Sequence, residues 1–571
     1  MKAPVVVLLL FASLLPGQIR TRDAYGVWIR GNRYDATEFP YRGVEVDLKW
    51  EDVQPAEGQF VWTDFDAELK HAAELGLYVC IGINVGPMSP AWLYEKGVPR
   101  VMTTGHRLRT GPYPYYPDAR HVSYYYRLIE EFGRHTRALP AALTDRIMFV
   151  QVKTGSTGDE EPYKGTPAPA RYAITKEQWR DFRLAAFQRF HAAFQQGFGP
   201  VIPMLFNVLV SPEEAPLWDW VNANVKGGWG HKQPGAGQCY QLNDETERLQ
   251  KLAPHLVDAA PGDAEIFTRC EMDQTWNKGH HLSRHPAMGF YWTALSALHS
   301  GLSVWNLTGT ARDWCHENHY WEFAHFFNKY AGQTHSPTAS GAFCALREGL
   351  DAADTEKFPE SKFGAASRDN RARYLAICKA YAARGARMDD PDGVLAGQMN
   401  QRFEQKGLND AGWRILAGNY ERFLRQIDPE RTSVGWWRVG GEVTRLTPVY
   451  ARFARGFDHA RGMDAMYFDI KDSFFAGRPL NGAYPVSVRV VYYDKGTGRW
   501  ALEYDAVGDS RKTACVVTKT DSGTWKERTV NLTDGYFGNR GPRGADLMLV
   551  NLGAEDDIFH MIEVSRGARK L

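Results

Sequence analysis

The chain has 571 residues, of which 24% are charged, with a formal net charge of +1. That length suits two or three domains, and that balance gives no bulk electrostatic reason to bind nucleic acid or a membrane surface. Aromatic residues make up 13%, including 18 tryptophans; such rings serve large cores, and they also stack on the apolar faces of sugars.

Residues 1–20 begin "MKAPVVVLLLFASLLPGQ", one lysine followed by an apolar run of signal-peptide length. The run is short for a membrane span. The expectation is export, to a secreted or periplasmic location, with no membrane-embedded segment later in the chain. The seven cysteines are scattered without a C-x-x-C pair. Buried thiols are therefore expected, without a disulfide framework or a zinc site.

From 21 to 335, short apolar runs alternate with helical patterns. The runs are "YGVWIR" (25–30), "GVEVDLKW" (43–50), "YVCIGINVG" (78–86), "IMFVQVK" (147–153), "VIPMLFNVLV" (201–210), "GGWGHK" (227–232), "EIFTR" (265–269) and "LSVWNL" (302–307). Between them, Phe65, Leu69, Ala72 and Ala73 share one helix face, with Gly76 closing the pattern. Thr175 and Gln178 are spaced as a capping box ahead of Trp179, Phe182, Ala186 and Phe190. Eight such units predict an α/β fold, a (β/α)8 TIM barrel whose site lies at the C-terminal strand ends.

Residues 336–430 read as a polar connecting region with helical pieces, "RARYLAICKAYAARGA" and "NYERFLRQI". "DDPDG" (389–393) reads as a surface turn, because the other ligands of a calcium loop do not follow. From 431 to 571, alternating runs such as "YPVSVRVVYYD", with Val486, Val488, Val490 and Tyr492 on one face, predict a C-terminal antiparallel β-sandwich.

Trp50, Pro55, Gly58, Phe60 and Trp62 after the second run, then Gly86, Pro87, Pro90, Ala91, Trp92 and Leu93 after the third, form a spaced pattern. Over this stretch the chain resembles the retaining (β/α)8 glycoside hydrolases, most of all the family 42 β-galactosidases and their relatives. The resemblance implies a β-linked galactoside or related polysaccharide as substrate. It implies an acid/base on strand four, a nucleophile on strand seven and no cofactor. Hydrolysis of a glycosidic bond needs two carboxyl groups flanking it.

Glu271 follows the seventh run and is the expected nucleophile; a plain rim ion pair with Arg269 is the other reading. In the family the acid follows an asparagine at the end of strand four. Here Thr154 and Gly155 occupy those slots, and the next acids are Asp159, Glu160 and Glu161 in a loop flanked by Gly155 and Gly158. Glu160 is preferred, then Asp159, then Glu161, against a simply solvated loop. Trp305 matches the family's aromatic sugar platform at strand eight, or is a buried barrel tryptophan.

Asn84, Trp92, Gln151, Asn207, Trp229, His231 and Asp273 are further candidates for binding sugar hydroxyls, each equally readable as an internal polar or packing residue. The loop "NKGHHLSRH" (277–285) suggests an anionic glycan through Arg269, Lys278 and Arg284; metal binding by His280, His281 and His285 lacks acidic support. There is no G-x-S-x-G, P-loop or dinucleotide fingerprint. The competing function is a non-catalytic carbohydrate-binding protein on a barrel scaffold, which the missing Asn-Glu pair favours.

Overall fold

The computed structural model describes residues 22–30, 40–105, 111–156, 161–207, 214–232, 266–272, 274–277, 285–388, 410–415, 417–440, 449–475 and 483–567. The leader at 1–20, the turn at 389–393, Cys239 and most of the loop at 277–285 lie outside these. The chain divides into two units, residues 1–37, 42–233 and 259–269, and residues 38–41, 234–258 and 270–571.

Eight parallel strands close a barrel. They are β1 (Gly26–Arg30), β2 (Gly43–Lys49), β3 (Tyr78–Asn84), β4 (Ile147–Gln151), β5 (Met204–Phe206), β6 (Trp229–Lys232), β7 (Phe267–Glu271) and β8 (Val304–Thr308). Every run expected to form a strand does so. The seventh lies two residues later than read, so Glu271 ends it.

The main barrel helices are α1 (Thr63–Glu74), α2 (Ala119–Ala138), α3 (Lys176–Gln195), α4 (Ala215–Asn224), α5 (Pro286–His299), α6 (Gly309–Glu317) and α7 (Glu322–Tyr330). Their sequence signals act as expected. Phe65, Leu69 and Ala72 bury the inner face of α1, and Gly76 takes the left-handed conformation (φ +73°) just past its end. Thr175 and Gln178 form a reciprocal capping box at 3.2 and 3.0 Å that opens α3.

The C-terminal strands are antiparallel, as expected, in a nearly closed, sandwich-like arrangement. They form one twelve-stranded antiparallel sheet. It includes Gly341–Ala345 (β9), Tyr420–Arg422 (β10) and Leu424–Ile427 (β11), all inside the stretch read as a connecting region. "NYERFLRQI" is thus two strands, not a helix. Leu424, Arg425 and Gln426 run buried, exposed, buried, a period of two, and Phe423 between the strands has φ +58°. β10 and β11 stand at opposite ends of the sheet path, so this one residue joins its first strand to its last and brings the sheet close to closure. Val486, Val488, Val490 and Tyr492 line the core inside, with Trp500, Phe457 and Phe559. The helical expectation holds for α8 (Arg371–Ala380). The six described cysteines are thiols outside any disulfide, five of them buried.

Candidate active site at the barrel rim

Alternation along the strands sets which side chains face the lumen. Trp28 and Phe149 stack at 5.4 Å, and Phe149 meets Phe267 at 5.0 Å. These rings come from β1, β4 and β7, which are not neighbours, so they touch through the lumen and form its floor. Two residues further along each strand the lumen turns polar. Arg269 reaches Glu45 at 2.7 Å and donates to Gln151 Oε1 at 3.2 Å. Arg269 and Glu45 are 0% and 2% exposed. Burying such charges is tolerable only because they pair.

The mouth carries a second polar group. Lys153 Nζ pairs with Asp47 and donates to Asn84 Oδ1 at 3.1 Å. Gly82 stands beside Asp47 in the β2–β3 register. A Cβ there would lie 2.8 Å from Lys153 Cε and 3.4 Å from Asp47 Oδ1, so the missing side chain gives the lysine its path. The Tyr125 hydroxyl, donating to Lys153 O at 2.6 Å, holds the strand end from behind.

Glu271 falls on the same face of β7 as Phe267 and Arg269, at the C-terminal end of the strand and partly exposed. Arg269, two residues before it, is engaged with Glu45 and Gln151 inside the barrel. The same pairing removes Arg269 from any anion-binding patch at the rim; Lys278 and Arg284 lie outside the described residues.

The loop after β4 resolves one of the three acid candidates. Ser156 N donates to Glu161 O at 2.9 Å. The Glu161 carboxylate is 61% exposed and meets Lys164 at 3.4 Å. It is a surface carboxylate in a surface ion pair. Asp159, Glu160 and Asp273 lie outside the described residues. Thr154 is buried, 2% exposed.

The other expected contacts divide. Asn84 and Gln151 do face the lumen, each accepting from a cation there. The Asn207 side chain, 4% exposed at the end of β5, has no hydrogen-bond partner among the described residues on either amide atom, while its carbonyl accepts from Arg183.

Four aromatic or imidazole candidates point elsewhere. Trp305 is 0% exposed, its ring against Phe323 and Phe327 of α7 at 5.6 and 5.3 Å. Trp229 and His231 pair with Met204 and Phe206 in the β5–β6 register and turn toward Trp218 of α4, at 5.2 and 6.4 Å. Trp92 donates from Nε1 to Gln54 O at 2.9 Å, and Trp50 to Gln54 Oε1 at 2.8 Å. The motif tryptophans thus brace the segment after β2. Phe60 and Trp62 likewise stack at 6.0 Å, and Trp62 packs on Phe132 of α2 at 5.8 Å.

The residues missed at the lumen are Glu45, Asp47 and Lys153. Their signal was a polar residue at every second position of "GVEVDLK" and "MFVQVK". In a strand covered on its outer face by helices, that pattern marks the lumen.

The strand pairing itself defines the class, a closed eight-stranded parallel barrel. No family model matches the chain, and no curated protein does. Among solved structures, it is similar to a psychrophilic family 10 endo-β-1,4-xylanase (14% identity, TM-score 0.31, 50% of this chain and 86% of that one). It is also similar to a catalytic mutant of a family 42 β-galactosidase from G. stearothermophilus (11%, 0.37, 56% and 59%). A third is the catalytic domain of a β-amylase from Paenibacillus polymyxa (13%, 0.32, 55% and 99%). The chain spans 52% of the length of a cold-adapted β-galactosidase from Rahnella sp. R3, at 11% identity and a TM-score of 0.33.

Proposed function

We propose that the protein is a glycoside hydrolase, acting on a β-linked galactoside or a related polysaccharide, and exported from the cytoplasm. The observation that carries this reading is Glu271, a carboxylate ending the seventh strand of a closed parallel barrel on the lumen side. In this fold, reacting groups gather at that rim from distant strands.

In the retaining scheme, the Glu271 carboxylate attacks the anomeric carbon as the glycosidic C–O bond breaks. The second carboxyl gives its proton to the leaving oxygen, then takes one from the water that releases the sugar. Asp159 or Glu160 is the preferred second carboxyl, and the exposed pairing of Glu161 with Lys164 supports that order. In this reading Asn84 and Asn207 meet sugar hydroxyls. Hydrolysis of a panel of β-linked oligosaccharides by wild type and Glu271→Gln tests the proposal. Undiminished turnover by the variant would overturn the role of Glu271, and no turnover on any member would overturn the activity.

One observation favours a second reading, a carbohydrate-binding protein without catalysis. The end of β4, where the resembling enzymes carry their acid, presents an ammonium already paired with Asp47 and Asn84.

A further inference from the structure

A cavity of about 770 Å³ lies in the second unit. It opens where the nearly closed sheet meets itself, along Glu421, Phe423, Leu424 and Arg425. Its volume falls within the range of about 300–1,000 Å³ usual for ligand clefts.

We propose that this cleft is a second carbohydrate site, taking a neutral oligosaccharide. The argument rests on its own chemistry and needs no catalysis at the barrel rim.

Two features point to a polar, uncharged ligand. First, the charged groups of the wall already neutralise one another or are hydrogen-bonded. Arg425 Nε donates to Asp469 at 2.7 Å, and Asn539 Nδ2 donates to Asp472 at 2.9 Å. A strongly charged guest would have to break such pairs. A polyhydroxylated one adds donors and acceptors alongside them, since each carboxylate oxygen keeps a spare lone pair.

Second, the cleft has an uncharged imidazole in its wall. His299 Nδ1 lies against both the backbone N–H and the carbonyl of Glu421, at 2.9 and 3.2 Å. Burial pushes the pKa of this histidine down to about 4, so the ring is uncharged at neutral pH. Phe423 and Leu424 supply apolar lining for the C–H faces of a sugar. Phe423 holds a left-handed backbone, φ +58°, that a phenylalanine rarely adopts. Strain of this kind persists where the surrounding structure fixes a residue firmly.

The test is isothermal titration calorimetry on the full-length chain carrying Glu271→Gln, so that no probe is consumed. The probes are β-1,4-galactotetraose, xylotetraose and cellotetraose, with tetragalacturonate as the charged control. Each titration is repeated with Asp472→Ala and Asn539→Ala added. Both positions are exposed, so thermal unfolding should be unchanged. The expected result is that at least one neutral tetrasaccharide binds, and that each added change weakens it about tenfold, as befits one or two lost hydrogen bonds.

The proposal is overturned if no neutral tetrasaccharide binds at millimolar concentration, if binding is unmoved by both changes, or if tetragalacturonate binds more tightly. Absence of hydrolysis in the wild-type panel would count against the rim reading alone, because this experiment reads binding only.

Discussion

Lys153 crosses the bare face of Gly82 to reach Asp47. A side chain from the end of the fourth strand thereby meets one from the second, over a residue of the third that has no side chain to obstruct it. The lysine is 3% exposed and the aspartate 28%.

This arrangement predicts that Gly82→Ala is costly although glycine is a poor strand residue. The added methyl must push Lys153 aside, and overpacking of this kind costs about 1–3 kcal/mol. Urea unfolding would measure it. In a Lys153→Met background the same change should cost less, because the bridging ammonium is no longer there to be displaced. An equal cost in both backgrounds would mean that the bridge is not what Gly82 protects.

Deeper in the barrel, Arg269→Met should destabilise by about 3–5 kcal/mol, since it leaves the buried Glu45 carboxylate facing an apolar chain. Arg30, at 3.9 Å, is too distant to replace a 2.7 Å partner. The double change Glu45→Met with Arg269→Met should recover most of the loss, because an apolar pair has no charge to desolvate. Chemical denaturation of the three variants decides this.

Glu161→Gln should leave hydrolysis close to wild type. Glu160→Gln or Asp159→Gln should lower kcat/KM by about 10²–10⁴-fold, the usual contribution of a general acid. Steady-state rates on the best panel substrate provide the check. A severe loss with Glu161→Gln would return that residue to the reaction despite its ion pair with Lys164.

Trp305→Ala should lower stability by about 3–5 kcal/mol, as expected for emptying a buried indole site. The milder Trp305→Phe should leave KM unchanged, because the ring packs on Phe323 and Phe327 and not on ligand. A raised KM with Trp305→Phe would restore its role as a sugar platform.

Stability should also fall with acid. His560 donates from Nδ1 to Phe453 O at 3.0 Å and accepts at Nε2 from the Tyr291 hydroxyl at 2.8 Å, a neutral ring in a fixed tautomer. Burial lowers its pKa to about 3, against about 6.5 in an unfolded chain. Between those values the unfolded state binds the extra proton, so stability present above the unfolded pKa is lost as pH falls. The full slope is about 1.4 kcal/mol per pH unit for one group. Denaturation at pH 7.5, 5.5 and 4.5 should show a shallower decline for His560→Gln than for wild type.

How far the sequence went can be read from particular residues. The eight strands were legible because short apolar runs, glycine stops and helical stripes recur in strict order, and because the cap at Thr175 is purely local. Which side of each strand would face the lumen was legible in principle, from Glu45 and Asp47 alternating with Val44, Val46 and Leu48.

Trp305, Trp229 and His231 were misdirected for one physical reason. An aromatic residue near a strand end is compatible with either face, and only the partner helix decides. The twelve-stranded sheet was hidden for another. The earliest of its strands in the chain, β9, pairs antiparallel with the latest, 558–566, across more than two hundred residues, and no local pattern reports such a partner. Phe423 broke the helical reading of its segment through a backbone angle that its side chain gives no cause to expect.

The aromatic floor has a consequence for traffic. With Trp28, Phe149 and Phe267 packed across the barrel and the Glu45–Arg269 pair above them, a sugar cannot pass along the axis. Whatever binds at the rim must arrive and depart through one doorway.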